Sequence, residues 1–455
     1  MFCDKAISLR IAQHFADLQV GSLPPTTLHA TRRALLDAIA VSLGASGLGE
    51  DTLPYRIHAA IQSGPSRLMA LDCTTSPDLA ALANGALAHA LDFGDTFDAG
   101  PAHPNAALVP ALLALSDAEP DIDFATFLTA LTAGSDLACR LSVAPPRPFE
   151  DGGWYPPPLV NLIASAAACA KLIGLDAEGI RHAMGLALVQ GSYPSEIKYD
   201  ATAPIRGVRE GFVARAAVEA ALLARAGATA FAEPLEGKAG FFAVYGGGHP
   251  TTALTDGLGD IFLGDRVSFK PWPSCRGTHP YIEAALALRA GLIIDAIDVI
   301  EAEIGPIQEM LIRPQHVKAA PGKAIEAKFS IPYTVAAALI DGSVSLASFA
   351  NERLADAATL RLASKVVERR NPNWGRAEAA SGSLAIILRD GTRLHHQVMQ
   401  AAGHPDRPVT DDALIAKFID CARYVTRWPY PVDAATLAAH ILGYRADLPA
   451  TGLLP

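Results

Sequence analysis

The 455-residue chain is long enough for two or three domains at roughly 150 residues each. Half of its residues are apolar and only 18% are charged, which excludes a mainly disordered chain and allows a large buried core. Lys and Arg number 37 against 47 Asp and Glu, a net charge of −10 and the wrong sign for a generic nucleic-acid or anionic-membrane binder. In chain order, Met1-Phe2-Cys3-Asp4-Lys5-Ala6 meets charged residues too early for a signal-peptide core. From there to about residue 260 the pattern is alanine-rich and helical. Leu28, Leu35, Ile39 and Leu43 recur at helical spacing with Arg32 and Arg33 on the other face. Pro24, Pro25, Thr26 and Thr27 supply the entry to that helix, and Gly44 and Gly47 its exit. Similar segments follow near 79–92, 105–117, 124–143, 158–173, 177–190 and 207–226, separated by Pro- and Gly-rich clusters such as Ala144–Pro148 and Gly152–Pro158. The most apolar stretch, Leu159–Leu175, carries Asn161 and Lys171 and is too short and interrupted for a membrane span.

The character changes after Phe262. Asp298–Ile304 alternates like a strand, and Leu384–Leu388, Asp390-Gly391 and Arg393–Val398 read as a β-hairpin. Tyr333–Ile340 and Ala357–Glu368 read as helices, and helix signals resume at Asp411–Arg423 and Asp433–Leu442. The expected fold is mainly α with a smaller α+β domain. A helical domain covers 1–266, an α+β domain 267–399, and C-terminal helices in 400–455 pack back on the helical domain.

Several motifs fail on inspection. Cys3, Cys73, Cys139, Cys169, Cys275 and Cys421 contain no C-x-x-C pair, so a zinc ribbon, an iron–sulfur ligand set and a disulfide scaffold are all disfavoured. A soluble protein of a reducing, cytoplasmic compartment is expected. Gly257-Leu258-Gly259 lacks the third glycine of a dinucleotide loop, and Glu236-Gly237-Lys238-Ala239 lacks the first glycine and the hydroxyl of a P-loop. No G-x-S-x-G elbow occurs. His395 and His396 are adjacent on a strand and so point to opposite faces, which argues against a shared metal. Gly246-Gly247-Gly248-His249 reads as a flexible loop rather than an anion nest.

Three separated stretches carry a resemblance. The first is Asn84-Gly85-Ala86-Leu87-Ala88-His89-Ala90-Leu91-Asp92-Phe93-Gly94-Asp95-Thr96, followed by His103-Pro104. The second is Phe269-Lys270-Pro271-Trp272-Pro273-Ser274-Cys275-Arg276-Gly277-Thr278-His279, and the third is Lys328-Phe329-Ser330-Ile331-Pro332-Tyr333-Thr334-Val335-Ala336. With the opening Arg33–Gly44 segment, their content, order and separation resemble the MmgE/PrpD superfamily over essentially the whole chain. That superfamily includes 2-methylcitrate dehydratase, cis-aconitate decarboxylase and iminodisuccinate epimerase. The resemblance implies a large helical domain completed by the C-terminal tail, an inserted α+β lid domain, and a homodimer. It implies no metal, nucleotide or other cofactor, and a small organic acid as the substrate. The implied chemistry is proton removal next to a carboxylate, followed by loss of water or carbon dioxide or by reprotonation on the other face.

The residues support similar chemistry. If Asp92–Thr96 continues a helix, Asp92 and Thr96 share one face and Asp95 lies one turn from Asp92. Carboxylate and hydroxyl together can position a water or accept a proton, whereas the bland reading is a pair that caps a helix end. The resemblance assigns His103 and His279 as candidate acid/base or anion-binding groups. Arg206, Lys270 and Arg276, with those histidines, are the cations available to hold a carboxylate in an acidic protein. Lys270 reads alternatively as a solvated hinge charge, and Cys275 as a packed wall residue rather than a nucleophile.

The departures bear on the specific reaction. Where the family commonly has Gly-Trp/Phe-His-Pro, this chain has Gly153-Trp154-Tyr155-Pro156. Arg206 stands at the usual lysine position ahead of Gly211, Gly94 replaces a usual Asp, and Phe97 a usual His. A tyrosine works as a base only beside a cation, and arginine holds a carboxylate but does not shuttle protons. The expectation is therefore a cofactor-independent, dehydratase-type lyase with Asp92, Thr96, His103, Tyr155 and His279 as candidate catalytic residues. The alternatives are an epimerase, isomerase or cyclase of the same superfamily, or a homologue that has lost catalysis and only binds an acid.

Overall fold

A computed structural model of the chain describes residues 7–200, 203–375 and 377–455. The reading of Met1–Ala6, with Cys3, lies outside the described residues. The chain divides into two compact units, Met1–Val267 with Thr410–Pro455, and Ser268–Val409. It is mainly α, with small sheets of two and four strands.

The first unit contains α1 (Ile7–Asp17), α2 (Pro25–Leu48), α3 (Leu53–Ala59), α4 (Pro77–Ala90), α5 (Asn105–Ala118), α6 (Phe124–Val143), α7 (Pro156–Leu172) and α8 (Ala177–Leu188). The short α9 (Glu196–Tyr199) and α10 (Ile205–Val208), then α11 (Glu210–Arg225) and α12 (Phe241–Tyr245), complete its N-terminal part. β1 (Ser66–Arg67) and β2 (Thr74–Thr75) form a small antiparallel pair. Local chemistry sets the helix starts. Proline occupies the first turn of α2, α4 and α7, where its missing N–H costs nothing. Asp123 and Asp176 cap α6 and α8 by accepting from Thr126 N and Gly179 N.

One departure from the sequence reading has a packing cause. α2 does not exit at Gly44 or Gly47 but runs to Leu48. A Cβ on Gly47 would collide with the Tyr424 carbonyl, and one on Gly44 would press on Leu91 and Cys421 at 3.2 Å. Both glycines therefore serve close approach inside a continuous helix. α7 is buried on every side from Pro156 to Ala170, as expected of a central core helix. It packs against α5, α6, α8 and α11.

The second unit contains α13 (His279–Leu288), β3 (Ile297–Ile304), α14 (Gln315–Ala319), α15 (Ala324–Lys328), α16 (Ile331–Asp341), α17 (Asn351–Leu354), α18 (Ala357–Ala363), β4 (Val366–Arg370), β5 (Gly382–Leu388) and β6 (Arg393–Val398). The four strands lie in the order β4-β3-β5-β6, with β4 parallel to β3 and the other pairs antiparallel. The β5–β6 hairpin is as expected, and Ile300, Ala302 and Ile304 of β3 face inward. The helix expected over Ala357–Glu368 stops at Ala363, because Val366 onward pairs with β3 in the register Ile300↔Val366. α13 and α16 pack together, and their Tyr281, Ile282, Tyr333 and Val335 share a core with Ile300, Leu384 and Ile386. The chain then returns to the first unit as α19 (Asp411–Ala422), which packs on α2, and α20 (Ala434–Gly443). Among the described residues, no helix is long and apolar enough to cross a membrane.

Candidate functional site

Helix α4 ends at Ala90, two residues before the first candidate. Asp92 has φ +49°, a left-handed conformation that stops the helix and reverses the chain. The expected helical continuation through Thr96, with Asp92 and Thr96 one turn apart, is therefore incorrect. A turn brings Asp92, Asp95 and Thr96 into the interior instead, and all three are buried. The chain doubles back where Phe97 N donates to Ala102 O at 3.0 Å, returning His103 to the same turn. His103 Nδ1 lies 2.9 Å from Asp95 O. A carbonyl only accepts, so Nδ1 carries a proton in this contact. The His89 ring lies 5.0 Å from that of His103.

The turn is held from two directions. Lys417 of α19 donates to Phe93 O and to Asp37 Oδ1 of α2, each at 2.6 Å, and sits 3.8 Å from the Phe93 ring centroid. Asp95 Oδ2 accepts from Asn105 Nδ2 at 2.6 Å. Burial, and then the neighbouring Asp37 charge, push the Asp95 carboxyl up to about 7, against the opposing effects of Asn105 and Lys417.

Tyr155 stands just before α7, where its N–H donates to Tyr193 O at 2.8 Å. Two cations face its ring, Arg209 at 4.8 Å and Lys198 at 5.4 Å from the centroid. Arg209 Nη1 donates to the Arg206 carbonyl, and its Nε lies 3.2 Å from Glu210 Oε1. Asn161 of α7 donates to Glu210 Oε2 at 3.0 Å and to His103 O at 2.9 Å. Burial raises the Glu210 carboxyl above the usual range, while Arg209 and Asn161 oppose the shift. One continuous polar chain thus links Tyr155, Arg209, Glu210, Asn161, His103 and Asp95. Arg206 is buried beside this chain and joined to it through its carbonyl.

A close helix crossing makes that chain possible. α4 and α11 meet at Gly85 and Gly211, where a Cβ on Gly85 would lie 2.8 Å from Gly211 Cα and 2.9 Å from Glu210 O. Gly85, within the first resembling stretch, is thus a contact surface for the start of α11.

In the second unit, the stretch 269–279 forms a buried loop leading into α13. Lys270 is 1% exposed, which overturns its reading as a solvated hinge charge. Phe269 N donates to Gly403 O, and Cys275 N to Lys328 O. Cys275 is half-buried and packs against the apolar core. Arg276 donates to Ala402 O at 2.8 Å and to Ala401 O at 3.2 Å, so its guanidinium fastens the chain after β6. His279 opens α13, with its ring 5.2 Å from that of Trp272 and its Nε2 3.2 Å from Ser274 O. The third stretch caps a helix: Ser330 accepts from Tyr333 N at the start of α16.

Asp37, Asn161, Arg209, Glu210 and Lys417 are absent from the sequence-derived set. Two left a signal, because Asp37 and Asn161 are lone polar residues within apolar helical runs. Such a residue must find a buried partner. Among the described residues, no three His, Cys, Asp or Glu side chains gather as a metal-ligand set.

The sequence profile of the MmgE/PrpD N-terminal domain matches residues 9–253, and that of the MmgE/PrpD C-terminal domain matches residues 272–428. The chain is 27% identical to a cis-aconitate decarboxylase of Homo sapiens over 437 residues, covering 93% of this chain and 89% of that protein. It is 28% identical to the cis-aconitate decarboxylase of Mus musculus over 431 residues, covering 91% and 86%. A cis-aconitate decarboxylase of Aspergillus terreus is 22% identical over 443 residues, covering 92% and 90%. By both of its domains and along nearly its whole length, the chain belongs to the MmgE/PrpD family.

Proposed function

We propose that the chain is a lyase that removes a proton from the carbon α to a carboxylate or carbonyl of an organic acid, without a cofactor. The carrying observation is Tyr155, flanked by Arg209 and Lys198 and joined through Glu210 and Asn161 to His103. In the dehydratase form of the reaction, the α C–H proton passes to a base and a β-hydroxyl leaves as water on gaining a proton. The C–H and C–O electron pairs become a C=C bond and the leaving group's lone pair, so no redox partner is needed. Tyr155 shares the acid/base work with His103 or His279, Asp92 and Thr96 position the leaving hydroxyl or a water, and Arg206 with Lys270 binds the carboxylates. The named relatives support a lyase of carboxylic acids in general. Tyr155 and Arg206, standing for a usual histidine and lysine, favour a substrate or outcome different from cis-aconitate decarboxylation.

Proton NMR in deuterated buffer tests this reading against 2-methylcitrate, citrate, cis-aconitate and iminodisuccinate. Deuterium entering an α position together with loss of water is the expected result. Deuterium uptake with no elimination would redirect the reading to an isomerase. Silence across the panel with thermal-shift binding of an acid would overturn catalysis in favour of an acid-binding homologue.

A further inference from the structure

Glu210 is wholly buried, and a buried carboxylate is costly unless charge and hydrogen bonds compensate it. Oε2 accepts a hydrogen bond from Asn161 Nδ2, whereas Oε1 meets Arg209 Nε at 3.2 Å as an ion pair without hydrogen-bond geometry. An amide NH₂ has two hydrogens, and Asn161 gives its second to His103 O. Arg209, on its other side, lies against the Tyr155 ring. The Gly85–Gly211 crossing sets the start of α11, and hence Glu210, against α4.

From this geometry we infer that Glu210 is a positioning residue serving two groups at once: through Arg209 it sets a guanidinium against Tyr155, and through Asn161 it fixes the main chain at His103. The inference rests on the reading of Tyr155 and His103 as acid/base groups. A purely structural ion pair would add stability and nothing else. A positioning pair has two separable arms. Glu210→Gln keeps an oxygen for Asn161 but removes the charge opposite Arg209. Asn161→Leu cuts the His103 arm and leaves the Arg209–Glu210 pair in place.

The test uses the full chain carrying 3-fluorotyrosine, with the Tyr155 signal assigned from Tyr155→Phe and hydrogen exchange followed by mass spectrometry over residues 97–106. Glu210→Gln is expected to move the Tyr155 fluorine signal and leave exchange in 97–106 unchanged. Asn161→Leu is expected to raise exchange in 97–106 at least tenfold with the Tyr155 signal in place. Asp136→Asn, which breaks the buried Asp136–Arg140 pair, is expected to change neither readout. Folded Glu210→Gln and Asn161→Leu proteins that leave both readouts at wild-type values overturn the inference. So does an Asp136→Asn protein that changes both as strongly. The deuterium assay on Tyr155→Phe stands apart: full activity there defeats the acid/base reading while the two arms remain measurable.

Discussion

Asp92 combines a left-handed backbone with a buried carboxylate, so its side chain and its main chain are separately testable. Asp92→Asn keeps a residue type that tolerates φ > 0 and removes the charge. Its deuterium uptake is expected to fall at least about 100-fold while denaturation in urea stays near wild type. Asp92→Ala is expected to lose, in addition, about 1 kcal/mol of stability, since alanine has no local hydrogen bond to ease that conformation. Asp95 makes a prediction with a definite sign. Its carboxyl is raised from 3.8 to about 7 in the folded chain, so between those values the native state holds a proton that the unfolded chain has released. Stability therefore falls as pH rises from about 4 to 7 and levels off above. Asp95→Asn cannot titrate, and urea denaturation between pH 4.5 and 8 is expected to show this component of the slope removed, about 3 kcal/mol. An unchanged slope in the variant would show that Asp95 is not its source.

At the scale of elements, the α4–α11 crossing is the contact on which the candidate site depends. A Cβ on Gly211 would collide with Leu82 O and lie 3.0 Å from Ala86 N. Gly211→Ala is expected to cost about 1–3 kcal/mol or more by forcing the helices apart, read as a lower thermal midpoint. Gly443→Ala is the control: an added Cβ there meets open space, and the midpoint is expected to stay near wild type. Helix existence was legible in the sequence, because apolar spacing and capping residues act within a turn or two. Helix ends were less so. The exit signals at Gly44 and Gly47 are contact glycines of α2, and the helix pattern at Ala357–Glu368 runs into β4, whose pairing with β3 is non-local.

For the whole molecule, the C-terminal tail reaches back into the candidate site. Lys417 and Asp37 are 380 residues apart in sequence and 2.6 Å apart in space, and the same ammonium holds Phe93 O. Lys417→Met removes that counter-charge from the buried Asp37 and is expected to cost about 3–5 kcal/mol. Adding Asp37→Asn to Lys417→Met is expected to restore part of the loss in urea denaturation, because the buried charge is then gone. Equal stability of the single and double variants would show that the pair acts through packing alone.

The sequence by itself determined the mainly α class, the smaller α+β part, most helix positions and the family resemblance. These rest on hydrophobic period, capping chemistry and motif order, all of which are local along the chain. Tertiary structure alone decided which polar groups meet. Asn161 is 58 residues from His103 and 49 from Glu210, and no periodicity relates such distances. The turn at Asp92 was equally hidden, since aspartate tolerates a left-handed φ but its residue type alone does not say where the chain adopts one. Helices form from neighbours within about four residues, whereas buried charges find their partners only once those helices pack.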